Sequence, residues 1–147
     1  MNESDYFHNG LTKYEFGDFR GAIEDYNKAI ELNPNYSEAY RGRGFTKHDL
    51  EDYTGAIDDY TKVIELNPKD WKAYIGRALA KDELLDFRGA IEDYSIVISL
   101  NPKHIEAYYH IGLYKYYLGD KKGAYLDLSK ACESGFNQAC DSIKELF

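Results

Sequence analysis

The strongest constraint on this chain is a segment of 17 residues that occurs three times at a spacing of 34 residues. The copies begin at Asp18, Asp52 and Asp86, and each ends in Leu-Asn-Pro. A fourth, more divergent copy begins at Asp120. A fixed period of this length is typical of a supersecondary unit that stacks on copies of itself, because one unit alone cannot bury its apolar face. We therefore expect a repeat protein.

Each period predicts two helices. In the second period, a first helix is expected from about Glu38 to Leu50 and a second from about Thr54 to Leu66. Asn67-Pro68 ends the second helix, because proline cannot continue the hydrogen-bond ladder. The apolar residues of that helix fall at helical spacing: Ala56, Ile57, Tyr60, Val63 and Ile64.

Length and charge limit the possible classes of function. The 147 residues suffice for one domain with a sizeable core, and the net charge of −8 argues against nucleic acid and anionic membranes as partners. No apolar run approaches the length of a membrane span. The N-terminus lacks the basic and apolar regions of a signal peptide, so we expect a cytoplasmic protein. The mature form of an exported protein would look the same.

Five positions of the 34-residue unit recur with nearly constant residue types. Position four is Tyr6, Tyr40, Tyr74 and Tyr108; position eight is Gly10, Gly44, Ala78 and Gly112; position twenty is Ala22, Ala56, Ala90 and Ala124. Position twenty-four is Tyr26, Tyr60 and Tyr94, and position thirty-two is Pro34, Pro68 and Pro102. With these residues the chain resembles the tetratricopeptide repeat (TPR) family over residues 3–138. Leu128 and Phe136 depart from the pattern in the fourth unit.

The resemblance implies an all-α fold, a right-handed superhelical solenoid of four TPR helix-turn-helix units followed by a C-terminal capping helix. The expected units are 3–36, 37–70, 71–104 and 105–138. The capping helix is expected over 137–147, since its apolar residues form a single stripe and its charged residues face the other way.

Repeated charges suggest ion pairs between helices. Lysine recurs at position eleven, and an arginine stands four residues before it in the two central units, at Arg43 and Arg77. Like charges at this spacing destabilise a helix unless carboxylates face them. The repeated aspartate at position twenty-three can supply these: Asp25, Asp59, Asp93 and Asp127. We expect Arg43 to pair with Asp25 or Asp59, and Arg77 with Asp59 or Asp93. The alternative is that these charges are solvated.

The two cysteines, Cys132 and Cys140, stand where earlier units carry isoleucine and tyrosine, so they should lie close together in a stacked array. The Cys-x7-Cys spacing also resembles Sel1-like repeats, and that resemblance implies a disulfide between adjacent helices. The competing interpretation is a pair of reduced core residues, which we favour because no signal peptide is visible. Two cysteines are too few for a metal site.

No combination of residues predicts catalysis. The four histidines (His8, His48, His104 and His110) accompany no nucleophile elbow, phosphate loop or zinc motif. We expect no enzyme activity, no cofactor and no metal. Paired acids such as Asp58-Asp59 and Glu92-Asp93 lie on second helices, which form the convex side in this family, and are expected to be solvated.

In the TPR family the first helices line a concave groove. The resemblance assigns to it Phe7, Leu11, Tyr14, Arg41, Phe45, His48, Ile75, Leu79, Tyr109, Leu113 and Tyr116. Position nine is apolar in every unit, and Gly42 and Gly76 should leave room beside it. The expected groove is an apolar stripe with an acidic rim. Such a continuous apolar surface on a soluble protein usually marks an interaction site.

We therefore predict a non-catalytic protein-interaction module that binds a peptide or helix with apolar anchors and basic residues. The alternative is a self-associating structural protein whose groove is occupied by another copy. A chaperone C-terminal tail held by the family's carboxylate clamp is not expected. That clamp uses Lys, Asn, Asn, Lys and Arg, where this chain has Phe7, Leu11, Gly42, Lys72 and Gly76.

Overall fold

The computed structural model describes all residues, 1–147, and contains nine α-helices and no strand. In chain order they are α1 (Glu3–Glu15), α2 (Phe19–Leu32), α3 (Ser37–Asp49), α4 (Tyr53–Leu66), α5 (Trp71–Glu83), α6 (Phe87–Leu100), α7 (Ile105–Tyr117), α8 (Lys121–Glu133) and α9 (Asn137–Leu146). The predicted all-α fold is confirmed. None of the nine helices has the length and apolar character needed to cross a lipid bilayer.

The repeated Asp-x-x-Gly motif is a helix start. The aspartates at 18, 52, 86 and 120 accept hydrogen bonds of 2.9–3.0 Å from the backbone N–H of the glycine three residues on. This satisfies one of the donors that a helix N-terminus leaves unpaired. A Cβ atom on Gly21 would collide with the carboxylate of Asp18, so the glycine is required by the same cap. The most repeated stretch of the chain thus begins with a helix-capping signal.

The chain divides into two compact units, residues 1–80 and 81–147, here called the N-terminal and C-terminal units. In the N-terminal unit the buried residues pair large rings with small side chains: Ala22, Tyr26, Ala29, Ala39, Ala56, Tyr60 and Val63. In the C-terminal unit the largest buried side chains are Tyr94, Tyr114, Leu128 and Val97. Alanine allows neighbouring helices to approach closely, and the rings fill the remaining space.

Each repeated lysine pairs with the repeated aspartate of its own repeat. The Nζ–Oδ2 distances are 2.7 Å for Lys13–Asp25, 2.9 Å for Lys47–Asp59, 2.8 Å for Lys81–Asp93 and 2.6 Å for Lys115–Asp127. Asp59 and Asp93 are therefore buried ion-pair partners, and the expectation that they are solvated is wrong. Their neighbours Asp58 and Glu92 are exposed, as expected. Adjacent residues differ because successive helical positions point about 100° apart.

The predicted pairing of Arg43 is confirmed. Its Nε and Nη2 donate to the two carboxylate oxygens of Asp59 at 2.9 and 2.6 Å, and its Nη1 donates to Oδ1 of Asn27 at 2.6 Å. A guanidinium suits this fork, because its donors are coplanar and match both oxygens of a carboxylate. Arg77 donates to Oγ1 of Thr61 at 3.1 Å, and its proposed pairing with an aspartate stays a prediction.

Helix α9 packs on α8 in the C-terminal unit. Ala139 is buried together with Leu128 and Ala131, and Ile143 and Leu146 pack against this cluster. Cys132 and Cys140 form a disulfide with their Cα atoms 4.8 Å apart, so the expectation of two reduced thiols is corrected. The physical reason is the stacking itself, which places the two positions within the Cα separation that a disulfide requires.

Candidate functional site

Two adjacent pockets lie on the first helices of the N-terminal unit. The first has a volume of about 280 Å³ and is lined by Phe7, Leu11, Tyr14, Tyr26, Glu38, Arg41, Gly42 and Phe45. The second has a volume of about 340 Å³ and is lined by Arg41, Phe45, His48, Asp49, Tyr60, Lys72, Ile75, Gly76 and Leu79. Both share Phe45 and Arg41. All eight predicted groove residues of this unit line one pocket or both.

Phe45 forms the partition between the two pockets. It is 53% exposed, although it is a large apolar residue within a regular helix. Its ring contacts Tyr14 edge-on at a centroid distance of 5.6 Å, which fixes one side of it. Leu79, in the second pocket, is 36% exposed. The pockets therefore present apolar surface to solvent that the unit does not itself cover.

The floor of each pocket is a tyrosine from a second helix. A Cβ atom on Gly42 would lie 2.9 Å from Cζ of Tyr26, and one on Gly76 would lie 2.5 Å from Cζ of Tyr60. The expectation that these glycines leave open room is therefore corrected, because the tyrosine rings occupy that space. The glycines let the buried rings pack directly beneath the first helices, where Tyr26 lines the first pocket and Tyr60 the second.

An ion pair holds the side chain of Arg41, the basic residue that lines both pockets. Nη1 of Arg41 donates to Oδ2 of Asp70 at 2.9 Å, and the Asp70 side chain is only 11% exposed. Asp70 was not predicted as a site residue, and no repeat signal could have identified it, since the equivalent positions hold Tyr36 and His104. The pair orients the guanidinium between the pockets and offsets its charge.

The lining carries two acidic and two basic side chains, and the charge of one of the basic side chains, Arg41, is offset by Asp70 outside the lining. Glu38 and Asp49 are exposed, and the hydroxyl of Tyr14 donates to Oδ2 of Asp49. Burial, together with this hydrogen bond, raises the pKa of Tyr14 to about 12, so the phenol remains a neutral donor at physiological pH. Lys72 is the only lining cation besides Arg41.

The other three predicted groove residues lie in the C-terminal unit and pack within it. Tyr109 and Leu113 contact the cluster that also holds α9, and the ring of Tyr109 lies 5.0 Å from that of Phe136. Tyr116 contacts Phe147 at 5.6 Å. In the fourth repeat, the predicted groove residues therefore pack against its own core and against the C-terminal helix. Phe136, which departs from the repeat pattern, contributes directly to this change.

His110 takes the place that Gly42 and Gly76 hold in earlier repeats. Its ring stacks on Tyr94 at 4.9 Å with an interplanar angle of 7°. Burial lowers the pKa of His110 from its ordinary value of 6.5, and this outweighs the opposing effect of Asp82 and Glu106. An imidazole ring thus packs on the buried tyrosine of the preceding repeat, where the N-terminal unit has a glycine.

Helix pairs of this type, with an apolar groove on the first helices, define an all-helical repeat scaffold for protein interaction. No cluster of His, Cys, Asp or Glu side chains is arranged to hold a metal ion. The TPR repeat pattern matches residues 10–50, and the tetratricopeptide repeat pattern matches residues 37–70. A comparison with curated protein sequences finds no match.

Solved structures resemble nearly the whole chain. One crystal structure of MamA is 30% identical, covers 94% of this chain and 81% of its own, and gives a TM-score of 0.87. Another crystal structure of MamA is 29% identical. Its match covers 98% of this chain and 80% of the MamA chain, with a TM-score of 0.91. The first TPR domain of Spaghetti (RPAP3), bound to the HSP90 peptide SRMEEVD, is 24% identical. Its match covers 80% of this chain and 94% of the RPAP3 chain, with a TM-score of 0.76. The chain belongs to the tetratricopeptide repeat family, whose members are generally non-catalytic interaction modules.

Proposed function

We propose that the N-terminal unit binds a peptide segment of a partner protein, with two apolar side chains of that segment seated on either side of Phe45. The observation that carries this proposal is the pair of pockets that share Phe45 and Arg41. Apolar pockets with a few convergent polar groups are the usual form of a ligand site. A segment that fills both would bury Phe45, which is otherwise half exposed.

Pre-formed geometry supports this proposal. The floor tyrosines are buried, Tyr26 at 1% and Tyr60 at 3% exposure, so neither pocket depends on a mobile ring. The Arg41–Asp70 pair holds the polar group between the pockets in one orientation. A ligand therefore loses less free energy to ordering of the protein than it would on a flexible surface.

Charge favours a basic partner segment. Arg41 is offset by Asp70, which leaves Glu38 and Asp49 against Lys72 in the lining. Lysine or arginine beside the apolar anchors would therefore be attracted. The peptide in the RPAP3 complex, SRMEEVD, carries three acidic residues, and the lining of this chain favours the opposite sign.

The direct test is fluorescence anisotropy with a library of labelled peptides that carry two apolar residues at variable spacing and flanking lysines. A charge-reversed library, with glutamate in place of lysine, serves as the comparison. We expect binding by the basic library at one preferred spacing, weakened at high salt. Equal binding of both libraries would contradict the charge argument.

Phe45→Glu is the decisive variant, because it places a carboxylate between the pockets without touching the core. Its matched control is Phe16→Glu, the same change at a phenylalanine that is 85% exposed and lines neither pocket. We expect Phe45→Glu to weaken binding at least about a hundredfold and Phe16→Glu to leave it unchanged. Unchanged binding by Phe45→Glu would overturn the proposal.

A further inference from the structure

We infer that an aromatic edge of the C-terminal unit, formed by Phe87, Tyr116, Tyr117, Tyr125 and Phe147, is the contact surface between two copies of this chain. The inference does not involve the pockets of the N-terminal unit.

The five rings form one continuous series across four helices or helix ends. Centroid distances are 5.3 Å from Phe87 to Tyr117, 6.3 Å from Tyr117 to Tyr116, 5.6 Å from Tyr116 to Phe147 and 5.4 Å from Phe147 to Tyr125. Three of them are exposed by about half: Tyr117 at 58%, Phe147 at 51% and Tyr125 at 48%. The series is therefore a surface feature and not a core.

Exposed leucines extend this edge. Leu84 and Leu85, in the turn before Phe87, are 50% and 72% exposed, and Leu118, next to Tyr117, is 43% exposed. Leu126, next to Tyr125, is 60% exposed. Single exposed leucines are common, but several exposed leucines next in sequence to exposed rings are typical of an interaction surface. Aromatic residues are also enriched at protein interfaces.

Two positions of this surface hold exposed acidic residues in the other repeats and apolar or aromatic residues only in the fourth. The position of Tyr117 holds exposed acids in the first three repeats, Glu15, Asp49 and Glu83. The position of Leu126 likewise holds Glu24, Asp58 and Glu92, all exposed. The fold thus accepts a carboxylate at both places. Two apolar residues there are not needed for folding, which points to a role in contact with another molecule.

Leu85 adds a cost that packing within the chain does not explain. Its φ of 60° lies in the left-handed region, as does that of Glu51 at the same position of the second repeat, whereas the first and fourth repeats use Gly17 and Gly119 there. A leucine there is disfavoured by about 1 kcal/mol relative to glycine.

The balance of charge favours a second copy as the occupant. The chain carries a net charge of −8, so most of its faces would repel a copy of themselves. In the two turns that border the edge, Glu83, Asp86 and Asp120 are matched by Arg88, Lys121 and Lys122. A surface with an apolar centre and charges of both signs in the turns beside it can pair with itself about a two-fold axis.

The test is analytical ultracentrifugation of the full chain over a dilution series. We expect the mass of the wild type to rise with concentration from 17.0 kDa towards twice that value. The variant Tyr117→Glu/Leu126→Glu restores the acids of the other repeats, and its far-UV circular dichroism should match that of the wild type. We expect it to dimerise at least about a hundredfold more weakly, because dimerisation would bury unpaired carboxylates.

Leu85→Gly separates loss of contact from loss of folding. It removes an edge side chain and relieves the left-handed strain, so we expect a more stable monomer that dimerises more weakly. Phe45→Glu, in the other unit, should leave dimerisation unchanged. The inference is overturned if the wild type stays at 17.0 kDa at the highest soluble concentration. It is also overturned if the double variant dimerises like the wild type, or if Phe45→Glu abolishes dimerisation.

Discussion

Gly76 passes so close to Tyr60 that a Cβ atom built on it would lie 2.5 Å from Cζ of the ring. The ring is 3% exposed and cannot move aside freely. This contact joins the packing of two repeats to the shape of the second pocket, since both residues line it.

Gly76→Ala should therefore destabilise the protein by about 2 kcal/mol, measured by urea denaturation, because it overpacks a filled contact. In a Tyr60→Leu background the same change should cost little or even stabilise, since alanine favours helix over glycine by about 1 kcal/mol. A change in the sign of the effect between the two backgrounds would show that the methyl group and the Tyr60 ring compete for the same space. An equal cost in both backgrounds would show that the ring is not what excludes the methyl group.

Glu51, with a φ of 62°, occupies the left-handed position that glycine holds in two other turns. Glu51→Gly should stabilise the protein by about 1 kcal/mol, read as a higher midpoint of thermal unfolding. The reverse change, Gly17→Ala, should destabilise by a similar amount. No atom lies within 4 Å of a Cβ at Gly17, so the effect there reports backbone strain alone.

Asp59 holds two cations, Arg43 and Lys47, with its side chain only 4% exposed. Asp59→Ala should destabilise by about 3 kcal/mol, because it leaves two largely buried cations without an anion. Asp127→Ala is the matched comparison. Its carboxylate is 21% exposed and pairs with one lysine, so we expect a loss of about 1 kcal/mol. Equal losses in chemical denaturation would refute the role of burial.

His110 makes the stability of the protein depend on pH. Because burial lowers its pKa in the folded state below 6.5, the unfolded chain binds a proton first as the pH falls. Stability is therefore full above about pH 6.5 and falls below it, through the lower pKa of the folded state. Urea denaturation at pH 7.5 and 5.5 should show a loss in the wild type that is smaller in His110→Phe. His8→Phe, an exposed change at the same repeat position, should not reduce it.

The Cys132–Cys140 disulfide ties α8 to α9. Denatured, unreduced protein should contain no free thiol. A reductant should lower stability by about 2 kcal/mol in the wild type and have no effect on Cys132→Ser/Cys140→Ser. Two free thiols would restore the interpretation drawn from the sequence. The cytoplasmic location expected from the N-terminus stays a prediction.

Much of the fold could be predicted, because the same helix start and stop signals occur in every repeat or nearly every repeat. The Asp-x-x-Gly caps and Asn-Pro stops act within a few residues of themselves, so the helices follow from the sequence almost directly. A carboxylate partner for Arg43, either Asp25 or Asp59, was also predictable, since two like charges on one face require an anion, and the structure shows that it is Asp59. The groove residues of the N-terminal unit followed from the family resemblance.

The helices, their pairing into repeats and the choice of the first helices for the groove thus follow from local signals and from the family resemblance. What fills the groove floor depends on packing between helices, because Tyr26 and Tyr60 take the space that Gly42 and Gly76 were expected to leave. Packing between helices also determines that Asp70 holds Arg41, that Cys132 bonds Cys140, and that Tyr109 and Leu113 pack inward. Local signals specify backbone conformation, whereas side chains distant in sequence compete for the same space, and their positions emerge only when the helices pack.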